Sequence, residues 1–270
     1  MKINIGVPVL NGGQYLLRLV ESIDVPVNLY VVANRIGTLD ESVEAAINQI
    51  ESGLNPLVQV VVDKIDGNLG VAGSWNKILD HFQDRVLISN FDIQFGASVI
   101  EEAWRWMVTN EGVTLGYMYA AACFIVQPDF VQKAGYYDEN IYPAYHEDCE
   151  MEQRWKLGRF VSKNIPNTKL RVLHGDEAGE KKASCTLKMA DSALRQFIAE
   201  CGVLNSKYLL SKWGKELIRG GLREFEAPFN KAESDYRRWE LNLESRQRRL
   251  ELLRKIMGVE LSQSFHRAYG

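Results

Sequence analysis

The chain has 270 residues, 46% of them hydrophobic and 25% charged, with 32 Lys and Arg against 35 Asp and Glu for a net charge of −3. At ~150 residues per domain this suits one large domain, or one domain with an appendage, and the composition excludes a disordered, collagen-like or disulfide-built chain. No global polycation is present to hold a nucleic acid, but the charge is uneven: Lys207 to Gly270 carries 14 basic against 9 acidic residues, and the remainder 18 against 26.

Lys2 to Asn11 is a short β-rich run containing Pro8, followed by Gly12-Gly13. Tyr15 to Ile23 has apolar residues at helical spacing and ends before Pro26. Val27 to Ala33 reads as a second strand. Asp40 to Ile50, with an acidic cap and Val43, Ala46, Ile47 and Ile50 on one face, reads as a helix. Val58 to Val62 is a continuous β-branched run, the pattern of a central parallel strand. Asn68 to His81 begins as a Gly-bearing turn and becomes a helix. Arg85 to Ser89 is a fourth strand, and Val99 to Val108 is helical. Strands alternating with helices imply βαβ units in a doubly wound, mostly parallel α/β sheet, whose ligands bind at the carboxyl ends of the strands. That rule singles out Asn11, Asn34, Asp63 to Asn68, and Asn90 to Asp92.

Further on, Val113 to Val126 is the longest apolar run. It is shorter than the ~20 residues that span a bilayer and fits a pair of buried strands, so no integral membrane segment is expected. Asp129 to Ala134 reads as a short helix, Glu147 to Leu157 as a helix closed by Gly158, and Leu170 to Leu173 as a short strand. After about Lys182 the pattern turns helical, with one helix or two over Ala183 to Leu210, a connector over Trp213 to Asn230, and a long charged helix over Lys231 to Met257. Cys123, Cys149, Cys185 and Cys201 form no CxxC pair. With no signal peptide in view, free thiols and a cytoplasmic location are expected.

Four features carry chemistry. Asn90-Phe91-Asp92 follows the fourth strand, where a carboxylate can hold Mg²⁺ or Mn²⁺ over a diphosphate or simply cap the next turn. His146-Glu147-Asp148 opens a helix, where the two carboxylates either cap it or aim a general base into a cleft. His174-Gly175 follows a strand, and the imidazole is either structural or completes a metal shell. Asn68-Leu69-Gly70 through Gly73 and Asn76 either brings backbone amides close to a ligand or makes a close strand-to-helix turn.

In order and spacing these pieces resemble a family-two-type glycosyltransferase with the GT-A fold. Ile5-Gly-Val-Pro8-Val9-Leu-Asn11 resembles the opening strand and its Pro-x-x-Asn loop. Val31-Val-Ala-Asn34 with Asp40 resembles the second strand and DNxSxD loop. Asn68 to Asn76 resembles NxGxxxxxN, and Asn90-Phe91-Asp92 the NxD form of the DxD motif. Gly135 to Glu139, then Glu147-Asp148-Cys-Glu150 through Arg154 and Gly158, resembles GxFDE followed by EDxDxxxRxxxxG. Three departures stand out. Ala33 replaces an Asp that contacts the nucleobase, leaving Asn34 or Asp63 to substitute; Asn90 replaces the first Asp of DxD; and Glu150 replaces the second Asp of EDxD.

The resemblance implies a catalytic nucleotide-sugar-binding domain over residues 1–182 and a C-terminal helical extension over 183–270. It implies inverting transfer from a nucleotide-diphosphate sugar, UDP-sugar favoured, to an acceptor hydroxyl. Pro8, Val9, Asn11, Asn34, Asp63, Asn68, Gly70, Asn76, Asn90 and Phe91 would form the donor site. Asp92 and His174 would hold Mn²⁺ or Mg²⁺, Asp148 would act as general base, and Glu147 would position acceptor or base. The acceptor is a glycan or another hydroxyl compound, with a modified base of DNA as the alternative that the basic tail keeps open. A non-catalytic binding module is the alternative from another class. The tail Lys212-Trp213-Gly214 with Pro228-Phe229-Asn230 is similar to tails of some phage-encoded transferases of this type. Its long helix, striped by Tyr236, Trp239, Leu243, Leu250, Leu253 and Met257 with arginines including Arg249 on its other faces, either docks by one face, pairs two copies into a homo-oligomer, or binds phosphate.

Overall fold

The computed structural model describes residues 2–36, 38–156, 158, 160–166, 168–172 and 192–213, with Arg249, Leu252, Lys255 and Ile256 beyond them. In chain order the elements are β1 (Ile3–Val9), α1 (Gly13–Glu21), β2 (Val27–Ala33), α2 (Glu41–Glu51), β3 (Val58–Lys64), α3 (Gly70–Phe82), β4 (Val86–Ser89) and β5 (Ile93–Phe95). They continue with α4 (Val99–Thr109), β6 (Leu115–Tyr119), β7 (Cys123–Val126), α5 (Phe130–Ala134), α6 (Glu147–Lys156), β8 (Ser162–Asn164), β9 (Leu170–Val172) and α7 (Ser192–Trp213).

Seven strands form one sheet in the order β3-β2-β1-β4-β7-β6-β8, and β5 pairs with β9 in a separate ribbon. The pairs β1–β2, β2–β3, β1–β4 and β6–β8 are parallel, while β7 runs antiparallel to both β4 and β6. The expected doubly wound α/β sheet is therefore present, with a single reversed strand between its two parallel parts.

The period-two alternation of the strands separates two cores. On one face Val27, Leu29 and Val31 of β2, Leu87 of β4 and Ile125 of β7 meet Leu16 and Leu19 of α1, Val43 and Ile47 of α2, and Ile100 and Trp104 of α4. On the other, Tyr30, Val32, Ile88, Phe124 and Val126 meet Trp75 and Ile78 of α3, Phe130 of α5 and Met151 of α6. Asp40 caps α2 by accepting the Ser42 and Val43 amides at 3.1 and 3.2 Å. Gly6 lets α3 lie against β1, because a Cβ there would fall inside the Ile78 side chain.

The run Val58 to Val62 is not a central strand: β3 is the sheet's edge, paired only with β2, and Val61 is 49% exposed. β-Branched composition reports fit to a pleated surface and says little about how many neighbours a strand has. The chain builds outward from β1 to β3 and then crosses through α3 to β4 on the other side of β1. This reversal of order opens a crevice at the carboxyl ends of β1 and β4, where open α/β sheets take ligands. α7, one unbroken helix, contributes Leu194, Phe197, Ile198 and Cys201 to a small cluster with Tyr142, against which Leu10, Ile36, Leu252 and Ile256 also pack. Among the described residues no helix is long and apolar enough to cross a membrane. Cys123, Cys149 and Cys201 are free thiols.

Candidate active site

A cleft of about 390 Å³ occupies that crevice, within the volume range of small-molecule sites. Its floor is made by Pro8, Val9 and Leu10 at the end of β1, Asn34 after β2, and Asn90, Phe91 and Asp92 after β4. The start of α3, the β6–β7 turn from Tyr119 to Ala122, the segment Pro143 to Asp148, and Leu194 and Ile198 of α7 complete its walls.

The entry into α3 is built by asparagines. The Asn34 amide donates to Val9 O at 2.8 Å, joining the ends of β1 and β2. Its Oδ1 accepts the Leu69 amide at 2.8 Å, and its Nδ2 donates to Ser74 Oγ at 3.0 Å. Asn68 Oδ1 accepts the Gly70 amide at 2.9 Å, an Asx turn. Gly70 sits at φ +71, and a Cβ there would meet Pro143 O at 2.7 Å. The Val71 amide donates to Pro143 O at 2.7 Å, which ties α3 to the opposite wall.

The carboxylates enter from two elements. Asp92 lies in the turn after β4 and is buried. The neighbouring Asn90 is held by its amide, which donates to Ala122 O at 2.7 Å. Glu147 and Asp148 open α6, and Asp148 Oδ1 accepts the Cys149 amide at 2.8 Å. Tyr145 and His146, just before them, both have left-handed backbone at φ +72 and +82, a conformation few non-glycine residues adopt. Glu147 is buried with no hydrogen-bond partner for its Oε2. Burial, reinforced by the Asp148 charge, pushes its pKa up to about 8. Burial lowers the His146 pKa against the opposing pull of Asp148. The described lining residues thus bring three carboxyl groups and no lysine or arginine to the cleft.

Of the residues expected from the sequence, Pro8, Val9, Asn34, Asn68, Gly70, Asn90, Phe91, Asp92, Glu147 and Asp148 line this one cleft. Asn11, Asp63 and Asn76 do not. Asp63 accepts from Tyr30 Oη at 2.9 Å and pairs with Lys77 Nζ at 2.9 Å, so of the two candidates to replace the missing nucleobase Asp only Asn34 reaches the cleft. Asn76 is buried and bonds Tyr137 instead. His174 lies outside the described residues, as does most of the tail. Arg249, expected on a polar helix face, is 1% exposed and donates to Asn205 Oδ1 at 2.8 Å.

Sequence reasoning missed the tyrosines at the rim, Tyr119 and Tyr145, each about 40% exposed, and the α7 wall. The i, i+4 spacing of Leu194 and Ile198 was the one visible signal for that wall. It also missed a buried ion cluster behind the cleft. Glu150, the EDxD variant position, is fully buried and bonds Arg154 Nε at 3.1 Å and Lys212 Nζ at 2.7 Å. Lys212 also reaches Asp138 at 2.7 Å. Burial would raise the Asp138 pKa, but the Lys212 ammonium and further hydrogen bonds outweigh it and hold the carboxyl below its usual value.

Among the described residues no group of three or more His, Cys, Asp or Glu is placed to hold a metal ion by itself. Asp92, with Asn90 nearby, offers hard oxygen donors. That suits a cation such as Mg²⁺ or Mn²⁺, which takes one or two carboxylates and fills its remaining positions with phosphate oxygens and water.

No protein-family model matches the chain, and no curated protein matches it by sequence. Solved structures do. The mannosyltransferase PcManGT from Pyrobaculum calidifontis, in complex with GDP-Man and Mn²⁺, aligns with a TM-score of 0.56 at 11% identity, over 80% of this chain and 66% of that one. S. aureus TarS 1–349 in complex with UDP-GlcNAc gives 0.51 at 13% identity, over 87% and 69%. GalNAc-T7 with UDP, GalNAc and Mn²⁺ gives 0.55 at 9% identity, over 79% and 49%. The chain therefore spans from about half to about two-thirds of the length of these proteins. It shares with them the GT-A fold, a mixed α/β sheet flanked by helices.

Proposed function

We propose that the protein is a metal-assisted, inverting glycosyltransferase that moves a sugar from a nucleotide-diphosphate sugar, UDP-sugar favoured, to an acceptor hydroxyl. The observation that carries the reading is the meeting of Asp92 with Glu147 and Asp148 in one cleft at the strand-order reversal. Asp92 lies 55 and 56 positions before Glu147 and Asp148, and they share a site because β4 ends and α6 begins at the same edge of the sheet. The fold likeness to glycosyltransferases solved with GDP-Man, UDP-GlcNAc or UDP and GalNAc supports the same reaction class, although fold by itself does not fix function.

Asp92 and, from the resemblance, His174 would hold Mn²⁺ or Mg²⁺. The bound cation would neutralise the charge that grows on the departing diphosphate. A diphosphate would otherwise enter a cleft whose described lining carries only acidic charge. Pro8, Val9, Asn34, Asn68 and Phe91 face the donor. Asp148 accepts the acceptor's hydroxyl proton as the oxygen attacks the anomeric carbon in line, and Glu147 orients the acceptor or the base. The acceptor is a glycan or another hydroxyl compound.

The test is donor hydrolysis and transfer by the full chain with UDP-, GDP- and dTDP-sugars, with Mn²⁺ or Mg²⁺ and then with EDTA. The expected result is turnover of at least one donor that EDTA abolishes. Failure to bind or cleave any donor would favour the binding-module reading. A DNA acceptor would reveal itself as acceptor affinity that falls steeply with salt.

A further inference from the structure

We infer that Asn205 is a positioning residue of this cleft. Its carboxamide fixes the backbone of residues 142–145 and, through it, the place of Glu147 and Asp148. The inference rests on the reading of the cleft proposed above.

Asn205 lies in α7, 57 residues after Asp148, and is fully buried. Its Nδ2 donates to Ala144 O at 2.9 Å and to Tyr145 O at 3.2 Å. Its Oδ1 accepts the Tyr142 amide at 3.2 Å and Arg249 Nη2 at 2.8 Å. A primary amide offers two N–H donors and an oxygen with two lone pairs, so this side chain is fully committed. Three of its four bonds go to the backbone of one short segment. That segment belongs to no helix or strand, and it contains cleft-lining residues Pro143, Ala144 and Tyr145.

The segment needs holding from outside. Tyr145 and His146 both sit in left-handed backbone, a conformation that is costly for an L-residue, and they lead directly into Glu147 and Asp148. A relaxed Tyr145 would re-aim the first turn of α6. Asn205, Tyr208 and Lys212 stand at spacings of three and four, one stripe of the helix. Tyr208 Oη and Lys212 Nζ bond Asp138 at 2.7 Å each, and Lys212 also bonds Glu150. The stretch from Asp138 to Glu150 is thus fastened to α7 at both flanks by charge and in the middle by Asn205. Of the three, only Asn205 grips the backbone of the cleft wall. No other side chain of this size both donates to two carbonyls and accepts an amide: Asp cannot donate, and Ala does neither.

The experiment uses the full chain with Asn205→Ala and Asn205→Asp. Hydrogen–deuterium exchange is followed by mass spectrometry on peptides covering residues 142–149 and, as a reference, β2. Exchange in 142–149 is expected to quicken tenfold or more in both variants while β2 stays unchanged. With whichever of UDP-GlcNAc or GDP-mannose the wild type turns over, kcat is expected to fall 10- to 100-fold with donor KM within threefold. Unchanged exchange in 142–149, an equal rise across the sheet, or a KM rise with kcat preserved each overturns the inference. So does loss of cooperative unfolding in both variants, because Asn205 would then serve the fold at large. A wild type that cleaves no donor refutes the glycosyltransferase reading, and the exchange result still decides whether Asn205 fixes the wall.

Discussion

Asn76 and Tyr137 exchange two hydrogen bonds: the Tyr137 amide donates to Asn76 Oδ1 at 2.8 Å, and Asn76 Nδ2 donates to Tyr137 O at 2.9 Å. The pair welds α3 to the loop that precedes the cleft wall, 61 residues later in the chain. Asn76→Ala leaves a buried amide and carbonyl without partners. At ~1–3 kcal/mol for each of the two unsatisfied groups, the expected loss is about 2–6 kcal/mol, read from urea unfolding. Donor affinity is expected to change less, because Asn76 does not line the cleft.

Gly70 carries a different constraint. Its φ of +71 disfavours any side chain, and a Cβ would press on Pro143 O and on Tyr142 Cδ2 at 2.9 Å. Left-handed backbone costs ~1–2 kcal/mol and overpacking ~1–3. Gly70→Ala is expected to lose about 2–5 kcal/mol and to weaken donor binding as well, because the two walls meet there. Parallel calorimetry and unfolding measurements separate the two effects.

Glu147 makes stability depend on pH. Burial raises its pKa from 4.5 to about 8, so the folded state retains a proton that the unfolded chain releases. Its contribution is complete below the unfolded value and is lost as pH rises through about 8, with a slope approaching ~1.4 kcal/mol per pH unit in between. Glu147→Gln is expected to remove that slope. Urea midpoints between pH 5 and pH 8.5 should converge toward the variant's at the acid end and fall below them at the alkaline end.

Asp138 and Lys212 carry the opposite sign. The Asp138 pKa is held down, so its contribution is present above the unfolded value and lost as pH falls through the folded one. Lys212→Met leaves Asp138 and Glu150 buried with only Arg154 to balance them. Breaking a buried pair costs ~3–5 kcal/mol, and that loss is expected at pH 7. At pH 4, where Asp138 without its lysine can take up a proton, the deficit is expected to shrink.

Asp148→Asn is expected to lower transfer 10²- to 10⁴-fold, the range for a lost general base, with donor affinity within about threefold of wild type. Asp92→Asn is expected to weaken donor binding in the presence of Mn²⁺. Titration calorimetry beside a transfer assay distinguishes the two, and an Asp148→Asn enzyme turning over like wild type would remove Asp148 from the base role.

Much of the first half was legible because local pattern and final structure agree there. Val27 to Ala33 is a strand from its first predicted residue to its last, and Asp40 caps its helix as expected. β5 and β8 were not legible. Ser162–Asn164 has no apolar pattern of its own and is a strand only because β6 presents an open edge to it. For the same reason β3 could be recognised as a strand but not placed within the sheet. The site followed this division. Residues at strand ends announced themselves through their neighbours, whereas Asp63 and Asn76 carry the right residue types but turn to Lys77 and Tyr137. Leu194 and Ile198 reach the cleft, and Asn205 holds its wall, through contacts across 50 or more residues, which no local window contains.

The ion cluster also sets an order of events during synthesis. Asp138 and Glu150 leave the ribosome 74 and 62 residues ahead of the lysine that neutralises them. Without α7, Asp138 and Glu150 have, among the described residues, one buried arginine, Arg154, near them and no lysine. A chain without α7 would keep every strand of the sheet but lose the lysine that neutralises Asp138 and Glu150, and with it the fastening of the wall that carries Asp148.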